Sequence, residues 1–180
     1  MHESRVLPRF RYHPDPVATG AVVRSDNVCL CCGEARGFIY AGPVYSTADL
    51  DERICPWCIS NGSAAAKHGA SFADSHSLHA AGVSDEAIEE VHLRTPAYTS
   101  WQQEEWLAHC GDACEFHGDA TMEDVTLASE VTRSEWKERH QLTDNDWVTI
   151  IRDYNPGGDP AFYKFVCRHC SLTLLGWDCT

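Results

Sequence analysis

The chain has 180 residues, 43% of them hydrophobic, and its six Trp, six Tyr and six Phe supply enough apolar surface for a packed domain. Its net charge of −13, from 27 acidic and 14 basic residues, argues against a nucleic-acid-binding protein, because phosphate binding needs clustered Lys and Arg. No run of about 18 apolar residues could cross a bilayer and no apolar signal core is present, so we expect a cytosolic protein without membrane contact.

The first third of the chain alternates strand-like segments with cysteine turns. A strand is predicted from Val6 to Tyr12, where two nearby prolines end it. Further strands are predicted at Phe38–Tyr40 and Val44–Tyr45, joined by a Gly-Pro turn. A small Ala-rich helix follows between Asn61 and His68. This region therefore contains short strands around cysteine turns and little helix.

Helix-start signals dominate the middle of the chain. Ser84 is expected to cap a helix that ends at Thr95, and Ser100 with Gln103 predicts a capping box for a helix from Trp101 to Cys110. Three further short helices are predicted to begin at Thr121, Ser134 and Thr143.

The last segment predicts a hairpin, with a strand from Ala161 to Val166, a third cysteine turn and a returning strand from Leu172 to Trp177. Strands near both ends around a helical middle predict an α+β fold, with small zinc-ribbon-like strands and cysteine knuckles. We expect one domain over residues 1–180 with three parts: an N-terminal zinc-knuckle lobe (1–70), a helical middle (84–154) and a C-terminal cysteine-knuckle hairpin (160–180).

Two cysteine pairs predict a first metal site. Cys29 with Cys32, and Cys55 with Cys58, each form a C-x-x-C turn, and two such turns complete a tetrahedral four-thiolate shell for Zn²⁺. A reducing cytosol favours metal ligands over disulfides. The alternatives are a disulfide framework and a redox role for the second pair. A four-thiolate site is closed, so zinc catalysis is not predicted there.

A second zinc site is predicted around the third cysteine turn. Cys167 and Cys170 supply half of a shell, and Cys110 and Cys114, four apart on the predicted helix, would supply the other half from one face. His117 is an alternative ligand. Otherwise Cys110 and Cys114 are small buried hydrophobes, as free cysteines often are. Two cysteines belong to neither set: Cys31 and Cys179.

Several uncommon strings occur along nearly the whole chain. They include Tyr40-x-Gly42-Pro43-x-Tyr45, Ile54-Cys55-Pro56-Trp57-Cys58, Arg94-Thr95-Pro96-x-Tyr98-x-x-Trp101-Gln102-Gln103-Glu104-x-Trp106 and Phe165-x-Cys167-x-His169-Cys170. On these residues the chain resembles the CbrC family of bacterial proteins. The resemblance implies a link, by name, to colicin tolerance, and no biochemical mechanism. Ser171 departs from it, since glycine is expected after the last knuckle.

Two function classes remain open. We favour a non-enzymatic zinc protein that binds another protein, such as a basic toxin, through its acidic surface. The alternative is a small-molecule enzyme with a pocket near Trp101, Trp106 and Cys110. We place the enzyme second because His109 and Cys110, adjacent on a helix, would project about 100° apart and could not act as base and nucleophile.

Overall fold

The computed structural model describes residues 6–180, so the first five residues of the predicted N-terminal lobe lie outside the described part. Short helices and strands alternate along it. In chain order they are β1 (Val22–Arg24), β2 (Phe38–Tyr40), α1 (Pro56–Ser60), α2 (Ser63–His68), α3 (His76–Ala80), α4 (Asp85–Arg94), β3 (Ala108–His109), β4 (Asp112–Ala113), β5 (Glu115–Asp119), α5 (Met122–Thr126), α6 (Glu130–His140), α7 (Asp144–Arg152), β6 (Ala161–Val166) and β7 (Thr173–Asp178).

The strands form three small antiparallel sheets within the described residues. β1 pairs with β2, β3 with β4 in a tight hairpin, and β5, β6 and β7 form a three-stranded sheet with β6 at its centre. Phe165 of β6 lies between Phe116 and Leu174 of its neighbours. The mixture of helices and small antiparallel sheets confirms the predicted α+β class.

Alternate residues of the central strand β6 face two different cores. Tyr163 and Phe165 pack with Tyr12, Tyr98 and Trp106 in a central cluster. Phe162, on the other face, packs against α6 and α7 in a second cluster with Trp136 and Trp147. A third cluster, built around Ile39, Ile54 and Phe72, contains the first cysteine pairs. The division into three lobes stays a prediction.

Two strand predictions near the N-terminus are wrong. Residues 6–12 form no strand, because Tyr12 is drawn into the central core, where its carbonyl accepts a hydrogen bond from the Phe116 amide at 2.8 Å. Of the predicted Val44–Tyr45 strand, only Tyr45 pairs, in an isolated bridge with Ser71. The strand at Phe38–Tyr40 and the Ala-rich helix are confirmed.

The predicted helix from Trp101 to Cys110 is also wrong. Residues 101–107 contain no helix, and Cys110 lies in the turn between β3 and β4. Tertiary contacts override the local signal. Glu104 is buried and accepts hydrogen bonds from the Tyr45 hydroxyl, and the buried Trp106 indole donates to the Cys114 carbonyl at 2.9 Å. Helix propensity is a weak preference that such tertiary contacts commonly override.

The other helix signals fare better. Ser84 caps α4 by accepting from the Ala87 amide, and Thr121 and Thr143 each form a capping box. The predicted start at Ser134 is wrong, because α6 begins after Ser129. Ser129 accepts from the Thr132 amide and so satisfies a donor that Ser134, inside the helix, does not reach. Over residues 6–180, no helix combines the length and hydrophobicity needed to cross a bilayer.

Candidate metal centres

The thiols of Cys29, Cys32, Cys55 and Cys58 converge on one point, with all four sulfur atoms within 4.8 Å of one another. The Cys29 and Cys58 sulfurs are 3.8 Å apart, and those of Cys32 and Cys55 are 3.9 Å apart. Four sulfurs at about 2.3 Å from a tetrahedral zinc ion would be separated by about 3.8 Å. The arrangement, called the first centre below, therefore has the dimensions of a zinc–thiolate site.

Two different local structures build the first centre. The Cys29–Gly33 segment is a knuckle, in which the Gly33 amide donates to the Cys29 carbonyl at 2.7 Å and Gly33 has a positive φ of 73°. Cys55 stands at the N-cap of α1, and Cys58 lies in its first turn. A hydrogen bond from the Leu30 amide to the Arg53 carbonyl holds the two parts together at 2.9 Å.

The surroundings of the first centre stabilise negative charge on one sulfur, that of Cys29, whereas the hydrogen bond with Cys29 raises the pKa of Cys55 and burial raises that of Cys58. Hydrogen bonds from the Cys55 thiol and from nearby backbone amides lower the pKa of Cys29 against the effect of burial. Desolvation lowers the pKa of Arg36, but the negative charge of the neighbouring Cys32 thiolate outweighs this effect, and the pKa of Arg36 is raised. Cys31 is next to this centre, with its sulfur 3.4 Å from the Ser63 hydroxyl, but outside the four-thiol set.

A second centre forms where two hairpins meet. The metal-binding atoms of His109, Cys110, Cys167 and Cys170 lie within 4.8 Å of one another. Cys110 and Cys170 have their sulfurs 3.9 Å apart, and His109 Nδ1 is 3.2 Å from the first and 3.5 Å from the second. Three thiolates with one imidazole are a common structural zinc shell.

The ligands of the second centre come from two turns. Cys110 has a positive φ of 53° in the two-residue turn of the β3–β4 hairpin, and Gly111 follows at 74°. Cys167 begins a knuckle between β6 and β7, in which the Ser171 amide donates to its carbonyl at 2.9 Å. Ser171 has a φ of 61°, so it takes the position that Gly33 takes in the first knuckle.

The structure changes the predicted ligand set of the second centre. Cys114 is fully buried in the central core and lies outside the cluster, and His109 joins it instead. The prediction failed because Cys110 lies in the turn of a hairpin and not in a helix. His117 is also elsewhere, paired with the Glu115 carboxylate at 3.2 Å. The sequence signal for His109 was its position directly before Cys110.

Contrary to the sequence argument, the side chains of His109 and Cys110 do meet. A nucleophilic thiol needs a lowered pKa. The pKa of Cys110 is instead raised to about 11, by desolvation and by hydrogen bonds with Cys167 and Cys170. Because the thiolate is also the form that binds a metal, the contact fits a metal shell through its geometry, with Nδ1 of His109 3.2 Å from the Cys110 sulfur.

Carboxylates orient the residues around the second centre. Glu135 lies 3.5 Å from His109 Nε2, which leaves Nδ1 directed at the sulfurs. The carboxylate of Asp112 accepts hydrogen bonds from the Tyr12 hydroxyl at 2.7 Å, from Arg168 at 3.1 Å and from His169 at 3.1 Å when its Nε2 carries the proton. Burial works against ionisation of Asp112, but these bonds lower its pKa. Of the two carboxylates, Glu135 contacts a member of the cluster directly, and such outer contacts fix ligand orientation.

Trp101, Trp106 and Cys110 do not share one pocket. Trp101 is half exposed and its indole donates to the Gly158 carbonyl, whereas Trp106 is buried in the central core. A cavity of about 540 Å³ lies beside the Gly42–Tyr45 segment. Its wall includes Glu104, which accepts from the Tyr45 hydroxyl at 2.6 Å and from the Asp74 amide at 2.9 Å.

Comparison with known proteins gives the family. The model of an uncharacterised protein family, UPF0167, matches residues 7–179. The UPF0167 protein PA1536 of Pseudomonas aeruginosa is 47% identical over 97% of this chain and 98% of its own length. The UPF0167 protein Mb2317 of Mycobacterium bovis is 40% identical over 96% of this chain and 93% of its own. No solved structure matches. The chain therefore belongs to the UPF0167 family.

Proposed function

We propose that this member of the UPF0167 family is a zinc protein with two centres. The observation that carries the proposal is the spacing of the sulfurs in the first centre, which equals that of a tetrahedral zinc–thiolate shell. Thiolate and imidazole ligands suit zinc, whereas Mg²⁺ and Ca²⁺ prefer oxygen. The proposed ligands are Cys29, Cys32, Cys55 and Cys58 in the first centre and His109, Cys110, Cys167 and Cys170 in the second.

We further propose that the protein acts by binding a protein partner and not by turnover. Both ligand sets are complete with four protein ligands, and a closed shell leaves no open position for a substrate. The net charge of −13 would attract a basic partner and repel nucleic acid. The resemblance to the CbrC family makes a colicin-type toxin the first partner to try. A reducing cytosol, where the ten unpaired cysteines stay reduced, belongs to this proposal.

Elemental analysis tests the zinc proposal. Protein purified without chelator should contain two zinc ions per chain, and Cys55→Ser and Cys110→Ser should each lower that number by about one. Cys179→Ser, a substitution outside both centres, is the matched control. A zinc content well below one per chain, with none gained on adding zinc, would contradict the proposal.

Salt dependence tests the partner proposal. A partner captured from the native host should associate more slowly as the salt concentration rises, because charges beyond about 8 Å are screened at physiological ionic strength. An association rate that ignores salt would count against recognition through the acidic surface.

One observation favours the alternative, a small-molecule enzyme. The cavity beside Glu104 has a buried carboxylate and the Tyr45 hydroxyl in its wall. Turnover of any substrate that is abolished in Glu104→Gln, while both zinc ions remain bound, would move this alternative to first place.

A further inference from the structure

We infer that the second centre exchanges its zinc with thiol-containing acceptors, whereas the first centre keeps its ion. This inference rests on the proposed function, since it requires zinc in both centres. It assigns the second centre a substrate class, namely zinc passed to or from a molecule that presents at least two thiolates.

The first step of the argument is access to the ion. In the first centre Cys29 and Cys55 are fully buried and Cys58 is 2% exposed. In the second, Cys110 and Cys170 are both exposed, on the turn of one hairpin and the end of a knuckle. An incoming thiolate must reach the metal before a bound one leaves, and thiol exchange depends on such access. Cys32 is the one partly exposed thiol of the first centre, whereas the second centre presents two exposed thiols, so approach is easier at the second.

The second step concerns the bonds that hold the sulfurs. The Cys29 sulfur accepts a hydrogen bond from the Cys55 amide at 3.2 Å, across the first centre. In the second centre, the buried Cys167 sulfur accepts from the His169 amide at 3.4 Å. The hydrogen-bond partners of the Cys110 and Cys170 sulfurs are other members of the centre itself, with distances of 3.2–3.9 Å to His109 and to each other. Cys167 is therefore the fixed ligand, and Cys110 and Cys170 are the two that can be replaced.

The third step is that the fold around the second centre does not depend on its ion. The knuckle that begins at Cys167 is carried by β6 and β7, which pair over six residues each from Ala161 to Asp178. The inner face of this hairpin packs Phe165 and Leu174 into the aromatic central core. A site that gives up its metal must keep its shape afterwards, and this sheet provides that.

The transfer balances without a redox partner. Each Zn–S bond to Cys110 or Cys170 is replaced by a Zn–S bond to an acceptor thiolate. The bonds to Cys167 and His109 are then replaced by further acceptor ligands or water, and the ion leaves with the acceptor. The freed thiolate takes up the proton that the acceptor thiol gave up, and zinc remains Zn²⁺ throughout. The reverse sequence reloads the centre.

Isotope exchange tests the inference. The two-zinc protein is mixed with excess ⁶⁷Zn²⁺ and a small dithiol, and the mass of the intact zinc complex is followed with time. We expect exchange in two phases of one ion each, with the ion of the second centre exchanging in the fast phase. The fast phase should be missing in Cys110→Ala, which keeps the slow ion, and unchanged in Cys179→Ser.

Two results would overturn the inference and can be told apart. Equal exchange rates for the two ions would reject exchange at the second centre while leaving the zinc proposal standing. A purified protein that neither carries nor takes up a second zinc ion would reject both together. A fast phase that persists in Cys110→Ala would place the exchanging ion in the first centre and contradict the assignment.

Discussion

The two centres share one kind of knuckle but differ in what faces it. In both, an amide four residues after the first cysteine donates to its carbonyl, from Gly33 in one case and Ser171 in the other. The first knuckle faces the start of a helix, which supplies a second C-x-x-C pair, whereas the second faces a hairpin turn, which supplies His109 and Cys110. The same turn therefore gives a four-thiolate set in one place and a mixed set in the other.

The difference indicates two structural roles for a metal ion. It can hold a region together from its interior, or it can join elements that already pack on a core of their own. Around the first centre the sheet has two strands of three residues, and three of its four cysteines are buried among the apolar side chains. Two short strands give marginal stability by themselves. The second centre instead joins the β3–β4 hairpin to one end of the separate β5–β6–β7 sheet, which packs into an aromatic core. Zinc should thus matter more to folding at the first centre.

The largest expected effect is the loss of stability when one cysteine of the first centre is replaced, compared with the same replacement in the second centre. Cys55→Ser should lower the free energy of unfolding by several kcal/mol, since structural zinc binding is itself folding free energy in small metal sites. Cys170→Ser should cost clearly less, because the sheet remains. Hydrogen exchange of the β2 and β6 amides separates the two outcomes: β2 should lose protection in Cys55→Ser, and β6 should keep it in Cys170→Ser. Equal loss in both variants would end the contrast.

Acid provides the next test, because part of the pH dependence should be independent of zinc. His13 is buried, with Nδ1 donating to the Pro96 carbonyl at 2.6 Å. Burial lowers its pKa to about 4, although the Pro96 bond raises it. Between about pH 6.5 and 4 the unfolded chain binds a proton here that the folded chain does not. The free energy of unfolding should therefore fall by about 3 kcal/mol as the pH drops through this window.

A variant separates the contribution of His13 from the acid release of zinc. His13→Asn should be less stable at neutral pH but should lose less stability between pH 6.5 and 4 than the original protein, because the titrating group is gone. Urea unfolding at several pH values, with zinc present in excess, measures both slopes. Parallel slopes would mean that zinc ligands alone account for the acid sensitivity.

A smaller effect is expected from the carboxylate of Asp112, which ties the β3–β4 hairpin to the knuckle of the second centre. Asp112→Asn removes the charge that Arg168, His169 and Tyr12 share. Because the Asp112 carboxylate touches no ligand itself, we expect zinc affinity at the second centre to fall by less than the roughly 10-fold minimum for direct partners of ligands, with the first centre unchanged. Competition with a chromogenic chelator measures each affinity. Asp124→Asn, which breaks a carboxylate–Lys164 pair away from both centres, should leave both affinities as they are.

The sequence predicted those parts of the molecule that depend on local chemistry. The first cysteine set follows from spacing, and the helix starts at Thr121 and Thr143 follow from side chains that bond amides three residues away. The segment before the second centre could not be predicted, since Glu104 and Trp106 have partners distant in sequence or buried in the core. That single failure also concealed His109. Ligand identity thus depended on one helix-or-hairpin decision that only tertiary packing determines.

The smallest effect concerns the residue that follows the second cysteine of each knuckle. Ser171 has a φ of 61° where Gly33 has 73°, and a left-handed backbone conformation costs a residue with a Cβ about 1 kcal/mol or more. Ser171 is exposed, so Ser171→Gly removes the strain without removing a packed side chain. We expect the free energy of unfolding to rise by about 0.5–1 kcal/mol in zinc-saturated protein.

Gly33→Ser is the reciprocal substitution. A Cβ at Gly33 would meet no atom within 4 Å, so its cost should be conformational alone and opposite in sign. Urea denaturation of both variants measures the pair. A stability loss in Ser171→Gly would mean that the serine is held by a favourable interaction, and that the two knuckles are not equivalent.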